Sequence, residues 1–207
     1  MGNPLFGPAG NSDSFYAGGL KHTYQAPAWL FSMGLGAYEY QAGNGLTASE
    51  ATLRRIGDEA KKYSIAMSLH APYFISLSGT NPEIRAKSIN YILQSLRAAG
   101  FLGADIIVIH TGSAAKISRA EAMALVRDTL ERTLAAAGNT QVKLGLETMG
   151  KVNQLGTLDE VIELCGIAPC FVPVVDFGHL NARAAGGQFP DADSYARIFD
   201  TIANRLG

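Results

Sequence analysis

The sequence predicts an α/β protein, a (β/α)8-type barrel in which about six βα units are present. Three observations carry that reading. Short β-rich runs recur along the chain, each followed by a loop and a stretch with helical spacing. The runs are nearly continuously apolar, as expected of parallel strands covered by helices on one face and by a packed interior on the other. Side chains able to bind metal stand at the ends of several of these runs.

The first strand is expected at Leu5-Phe6, and the others at residues 38–41, 65–69, 106–109, 142–146 and 171–175. Helix-start signals lie between them. In Thr47-Ala48-Ser49-Glu50, Ser118-Arg119-Ala120-Glu121 and Thr157-Leu158-Asp159-Glu160 a hydroxyl can cap while Glu three residues on reciprocates. After Pro82, the residues Ile89, Leu93 and Leu96 recur at helical spacing, and after Ser118 so do Met123, Val126, Leu130 and Leu134. Gly and Ala crowd residues 182–187, which reads as a mobile loop. No composition shift divides the 207 residues, so one domain over 1–207 is expected. A closed barrel has eight units in roughly 250 residues. The C-terminal strands are therefore expected to be missing, in a fragment, a natural short form, or a chain completed by an oligomeric partner.

A net charge of −1 gives no basic field over the whole molecule, so any polyanion contact must come from local cations, whether side chains or metals. Cys165 and Cys170, separated by Gly-Ile-Ala-Pro, form neither a disulfide framework nor a metal pair. They are expected to be buried thiols in a reducing cytoplasm. The opening Met1-Gly2-Asn3-Pro4-Leu5-Phe6 lacks the basic and apolar regions of a signal peptide, and no apolar run approaches a membrane span.

His70, His110, Glu147 and Asp176 each fall within a residue or so of the end of an expected strand. In a parallel barrel all strand C-termini open on one face, so these positions, about 30 to 40 residues apart, converge on one pocket. Imidazole and carboxylate together suit Zn, Mn or Fe, zinc being favoured, and a carboxylate such as Glu147 can bridge two cations. A lone strand-end histidine is more often a structural hydrogen-bonder; the set of four changes the balance. His179 follows in Asp176-Phe177-Gly178-His179, on a loop where Gly178 would permit a sharp turn and each ligand could serve a different metal. His22 has no strand before it and reads as a surface or capping residue.

Ser68-Leu69-His70-Ala71-Pro72-Tyr73, Val108-Ile109-His110-Thr111-Gly112, Gly145-Leu146-Glu147-Thr148 and Val175-Asp176-Phe177-Gly178-His179, with the opening Phe6-Gly7-Pro8-Ala9-Gly10, resemble the endonuclease IV family in order and spacing. The resemblance covers essentially the whole chain. It implies a xylose isomerase-like TIM barrel acting on double-stranded DNA at abasic sites in base-excision repair, hydrolysing the backbone on the 5′ side to leave a 3′ hydroxyl. It further implies that His70 and His110 hold one zinc with Glu147, that Glu147 bridges to a second zinc shared with Asp176, and that His179 belongs to a third. Such clustered cations, zinc or manganese, would neutralise the phosphate and supply hydroxide near neutral pH. Tyr73 and Phe74 match the positions from which the family pushes side chains into the DNA stack, core packing being the alternative. The loop Ala42-Gly43-Asn44-Gly45-Leu46 holds no basic residue, while Lys151, Asn153 and Gln154 are candidates for phosphate contact or for an ordinary solvated loop. The family pattern continues past His179 with further ligands that this chain does not supply; Asp191, Asp193 and Asp200 read as helix-start or helix-surface residues.

Two readings from other classes stand beside this one. Sugar isomerases and epimerases of the same barrel type also gather His, Glu and Asp around metal. A remnant that binds metal or DNA without turnover is the other.

Overall fold

The computed structural model describes residues 3–207, so the amino-terminal reading at Met1 and Gly2 lies outside the described residues. Five parallel strands form one sheet in the order β1-β2-β3-β4-β5: Ala37–Gln41, Ala66–His70, Ala104–His110, Lys143–Glu147 and Phe171–Val174. Short helices α1 (Asp13–Ala17) and α2 (Ala26–Ser32) precede β1, and α3 (Glu50–Lys62), α4 (Pro82–Leu102), α5 (Arg119–Ala137) and α6 (Leu158–Cys165) follow β1 to β4 in turn. The chain then runs through α7 (Phe177–Arg183) and α8 (Ala192–Leu206). The five strands match an incomplete barrel.

Register explains how one sheet carries both a core and a site. Tyr40, Leu69, Ile107, Leu144 and Phe171 are paired across the sheet and point to one side. There they pack with Ile56, Ile92, Val126 and Leu130 from the helices. Gln41, His70, Val108, Gly145 and Val172 pair on the opposite, concave side, with His110 and Glu147 one step nearer the strand ends. Gly145 must lack a side chain, because a Cβ there would stand 2.5 Å from Val174 and 2.8 Å from Ile106.

The expected first strand is not a regular one. Leu5 and Phe6 do lead a segment along the free edge of β1: Phe6 O accepts from Gly36 N and Ala37 N, Pro8 O from Glu39 N, and Gly10 N donates to Glu39 O. Within this segment the pairing narrows to a single bridge, from Ala9 to Glu39. Pro8 has no N–H to offer, and Gly7 passes so close that a Cβ would fall 1.6 Å from the Ala37 carbonyl oxygen. The helix caps also differ in one place. Ser49, not Thr47, caps α3, leaving Glu50 to pair with Arg54 and Arg97. Ser118 caps α5, and Thr157 with Glu160 forms a complete capping box on α6. His22 is exposed and precedes the 3-10 turn Thr23–Gln25, and Asp191 caps α8. Residues 182 and 183 belong to α7, so the Gly- and Ala-rich loop begins only at Ala184. Cys165 is buried and Cys170 half-buried, and both are unpaired thiols. Among the described residues no helix is long and apolar enough to cross a membrane.

Candidate metal centre

At the C-terminal ends of the strands the face that carries His70 turns from apolar to imidazole and carboxylate groups able to bind a metal. His70 ends β2, His110 ends β3 and Glu147 ends β4, with His110 and Glu147 directly paired in register. Glu147 Oε2 lies 3.2 Å from His110 Nε2 and 3.4 Å from His70 Nε2. This oxygen is buried and forms no hydrogen bond. His70 is fixed from behind, its Nδ1 standing 2.8 Å from the Ala71 carbonyl oxygen. With Nδ1–H donating there, Nε2 presents its lone pair to the carboxylate. Acceptors facing one another in a buried spot repel unless a cation, a proton or a metal, lies between them.

Tetrahedral coordination at roughly 2.0–2.1 Å puts ligand atoms about 3.3 Å apart. The separations of 3.2 and 3.4 Å around Glu147 Oε2 are those of neighbouring ligand atoms about a zinc-sized ion, and all three ligand atoms lie within 4.8 Å of one another. Without metal the same charges speak through protons. Burial opposes ionisation of Glu147, yet the His110 and His70 imidazoles outweigh it and hold the carboxyl at about 2. Burial likewise opposes charging His70, but Glu147 and the Ala71 carbonyl prevail and raise its pKa.

A second triad joins Glu147 to Asp176 and His179, and Glu147 is common to both. His179 Nδ1 lies 3.5 Å from Glu147 Oε1 and 3.5 Å from Asp176 Oδ2. The peptide bearing this pair is not the expected loop with a glycine turn. Asp176 is the N-cap of α7, its Oδ1 accepting from His179 N at 2.7 Å, so one helical turn sets the spacing and Gly178 needs no unusual backbone. His179 Nδ1 also stands 2.9 Å from the Thr148 carbonyl oxygen. Donating there, Nδ1 leaves ligation to Nε2, whereas it is Nδ1 that faces Glu147 and Asp176, so this half of the site is less prepared for metal than the half around His70 and His110.

These residues line a cleft of about 750 Å³ together with Glu39, Gln41, Tyr73, Lys151 and Gln154. Tyr73 lies over the imidazoles, stacked on His110 with ring centroids 5.2 Å apart and meeting His70 edge-on at 4.9 Å. It is half-exposed, as is Phe74, which leans on Tyr91. Core packing does not account for either ring. Lys151 and Gln154 reach the cleft, whereas Asn153 does not line it. Glu39 and Gln41 on β1 were not singled out from the sequence; the alternation Tyr38-Glu39-Tyr40-Gln41, polar at every second residue, is the signal that marks them as inward-facing.

A family profile described as "Xylose isomerase-like TIM barrel" matches residues 27–207. The chain belongs to that family. Among its curated relatives, "Uncharacterized protein MJ0133" of Methanocaldococcus jannaschii is 29% identical over 98% of this chain and 71% of its own length. A "Probable endonuclease 4" of Acholeplasma laidlawii is 29% identical over 65% of this chain and 47% of its own. The chain thus spans about half the length of that relative. In fold it is similar to endonuclease IV from Thermus thermophilus, with TM-score 0.70, 20% identity, and coverage of 89% of this chain and 67% of that one. It is equally similar to D-psicose 3-epimerase from Clostridium cellulolyticum, with TM-score 0.71, 15% identity, and coverage of 96% and 67%. For this xylose isomerase-like TIM barrel the fold alone therefore does not separate DNA cleavage from sugar chemistry.

Proposed function

We propose that this chain carries the metal site of a DNA-repair phosphodiesterase of the endonuclease IV kind, cutting double-stranded DNA on the 5′ side of an abasic site. The observation that carries the reading is Glu147 shared between two triads, which suits a pair of adjacent divalent cations. Bound there, zinc or manganese supplies neutralisation of the phosphodiester and a water acidified toward neutral pH. The chain's own residues do the rest. His70, His110, Asp176 and His179 would hold the cations, with Glu147 common to both groups. Tyr73 covers the His70–His110 flank and limits access of bulk water, while Tyr73 and Phe74, exposed at the rim, offer flat surfaces for unstacked bases. Cleavage consumes one water: the P–O3′ bond breaks, the phosphate stays on the abasic side, and the 3′ oxygen leaves as a hydroxyl. Relatives named probable endonuclease 4 support the assignment.

The test incubates the zinc-loaded protein with a labelled duplex bearing one abasic site. The expected product ends in a 3′ hydroxyl that a polymerase extends, and Glu147→Gln abolishes it. Metal bound without a cut identifies a non-catalytic remnant, and epimerisation of ketoses in place of a cut assigns the site to sugar chemistry.

A further inference from the structure

Two residues of the second triad, Asp176 and His179, hang on one residue that is not itself a ligand. Thr148 follows Glu147, is fully buried, and extends the pairing of β4 with β5 by donating its N–H to the Val174 carbonyl oxygen at 3.0 Å. Past that bond a side chain takes over the role of the ladder. Thr148 Oγ1 accepts from Asp176 N at 2.9 Å and donates to Asp176 O at 3.3 Å, so one hydroxyl grips both backbone groups of the residue that supplies a carboxylate. Asp176 in turn caps α7 and sets His179 one turn further on. The Thr148 carbonyl oxygen reaches the same histidine, standing 2.9 Å from its Nδ1. A backbone carbonyl on the nitrogen that does not ligate is a common way of orienting a metal-binding imidazole. The half around His70 and His110 has its own support, His70 Nδ1 resting on the Ala71 carbonyl and His110 pairing in register with Glu147.

We infer that Thr148 is a positioning residue for the second cation, that of Asp176 and His179: its hydroxyl fixes the Asp176 peptide, and its carbonyl turns His179 so that Nε2 carries the free lone pair. This rests on the two-cation reading above and adds to it which residue outside the ligand set makes the Asp176–His179 half able to bind. Without the hydroxyl the Asp176 N–H loses its partner and the start of α7 is free to shift. Both ligands ride on that start, so they are displaced together. The loss falls on one ion, because the bonds that hold His70 and His110 do not pass through Thr148.

The experiment titrates cobalt(II), whose visible absorption reports each occupied site, into the metal-free protein and counts bound ions by elemental analysis. The wild type is expected to take two. Thr148→Val, close in shape but without the hydroxyl, keeps the first affinity within about threefold and weakens the second by about tenfold to a hundredfold. Thr148→Ser, which returns the hydroxyl, brings the second to within about threefold of the wild type; a merely structural role would lower the melting temperature of the metal-free protein without setting the two affinities apart. Should Thr148→Val not fold, Thr148→Ala is read in the same way. A folded variant without the hydroxyl whose second affinity is unchanged, or whose two affinities fall alike, overturns the inference and leaves the two-cation site standing, as does a Thr148→Ser that binds the second ion no better than Thr148→Val. A wild type that binds fewer than two ions overturns both.

Discussion

At Glu147 one oxygen is buried, unbonded, and faced by imidazole nitrogens at 3.2 and 3.4 Å. The metal-free protein must answer this with protons, which gives its stability a sign in pH. His70 is raised above its ordinary value of 6.5, so its pairing with Glu147 stabilises fully below that value and is lost as pH rises through the folded-state pKa. Glu147, held at about 2 against an ordinary 4.5, contributes above 4.5 and loses that contribution as pH falls toward 2. Between those limits the metal-free fold is at its firmest on this account. Its melting temperature should rise between pH 8 and pH 6, and by about 2–4 °C for each ~1 kcal/mol gained. Glu147→Gln should flatten or reverse that rise, because a buried His70 then charges without a partner; identical pH profiles in calorimetry would refute this account. The cluster of His70, His110 and Glu147 was legible in the sequence because each stands at the end of an apolar run that a parallel sheet brings to one edge. Glu39 and Gln41 were not, since a run read as apolar hides the alternation that turns every second side chain inward.

The element that shapes the mouth of the site is the segment 149–156 between β4 and α6, which is tied to the 111–114 loop by backbone and hydroxyl hydrogen bonds and gripped from the other side by two guanidinium groups. Arg183 donates to the carbonyl oxygens of Met149, Lys151, Val152 and Gln154 at 2.9–3.3 Å. Arg119 adds Val152 and Gln154 and is itself paired with Glu160. Gly150 completes the fit, because a Cβ there would press on His179 at 3.3 Å. Arg183 stands one helical turn after His179, so the helix that carries His179 is bonded directly to this segment. Lysine, a point charge without the planar fork, cannot serve the same carbonyls. Arg183→Lys should cost about 1–3 kcal/mol by denaturant midpoint and raise hydrogen exchange of residues 149–156 above that of the strands. Unchanged exchange there would show that Arg119 and the bonds to the 111–114 loop hold the segment without Arg183. Sequence pattern missed this device for a definite reason: Gly178 and the Gly- and Ala-rich residues 182–187 disguise the seven-residue α7 as a loop, and its N-cap, Asp176, was claimed by its role as a ligand. The long helices α4 and α5, by contrast, announce themselves through repeated apolar spacing that no tertiary contact overrides.

At the scale of the whole molecule, among the described residues the sheet runs from β1 to β5, with β4 as the one strand bonded to β5. Pro173 within β5 removes a donor from that exposed edge, a common defence against pairing with another chain. At the opposite edge the segment through Ala9 covers β1. Beyond β5, Phe177 of α7, Phe189 of the connecting loop and Tyr195 and Phe199 of α8 form an aromatic cluster, in which Tyr195 and Phe199 remain exposed. The candidate ligands come from β2, β3, β4 and the start of α7, so a cation that ties them together would link four separate elements of the fold. Binding to the folded state alone adds RT ln(1 + [L]/Kd), about 2.7 kcal/mol at a hundredfold excess over Kd, or roughly 5–10 °C in melting temperature for a chain of this size. Two triads sharing one carboxylate predict two zinc ions per chain by elemental analysis. Glu147→Gln, which touches both, should lose most of the zinc and nearly all of the thermal gain, whereas Asp176→Asn should lose one ion and keep the larger part of the gain, since the half of the site around His70 and His110 is already set in place. A protein that binds zinc but melts at the same temperature with and without it would show that the metal sits elsewhere, on groups equally available in the unfolded chain.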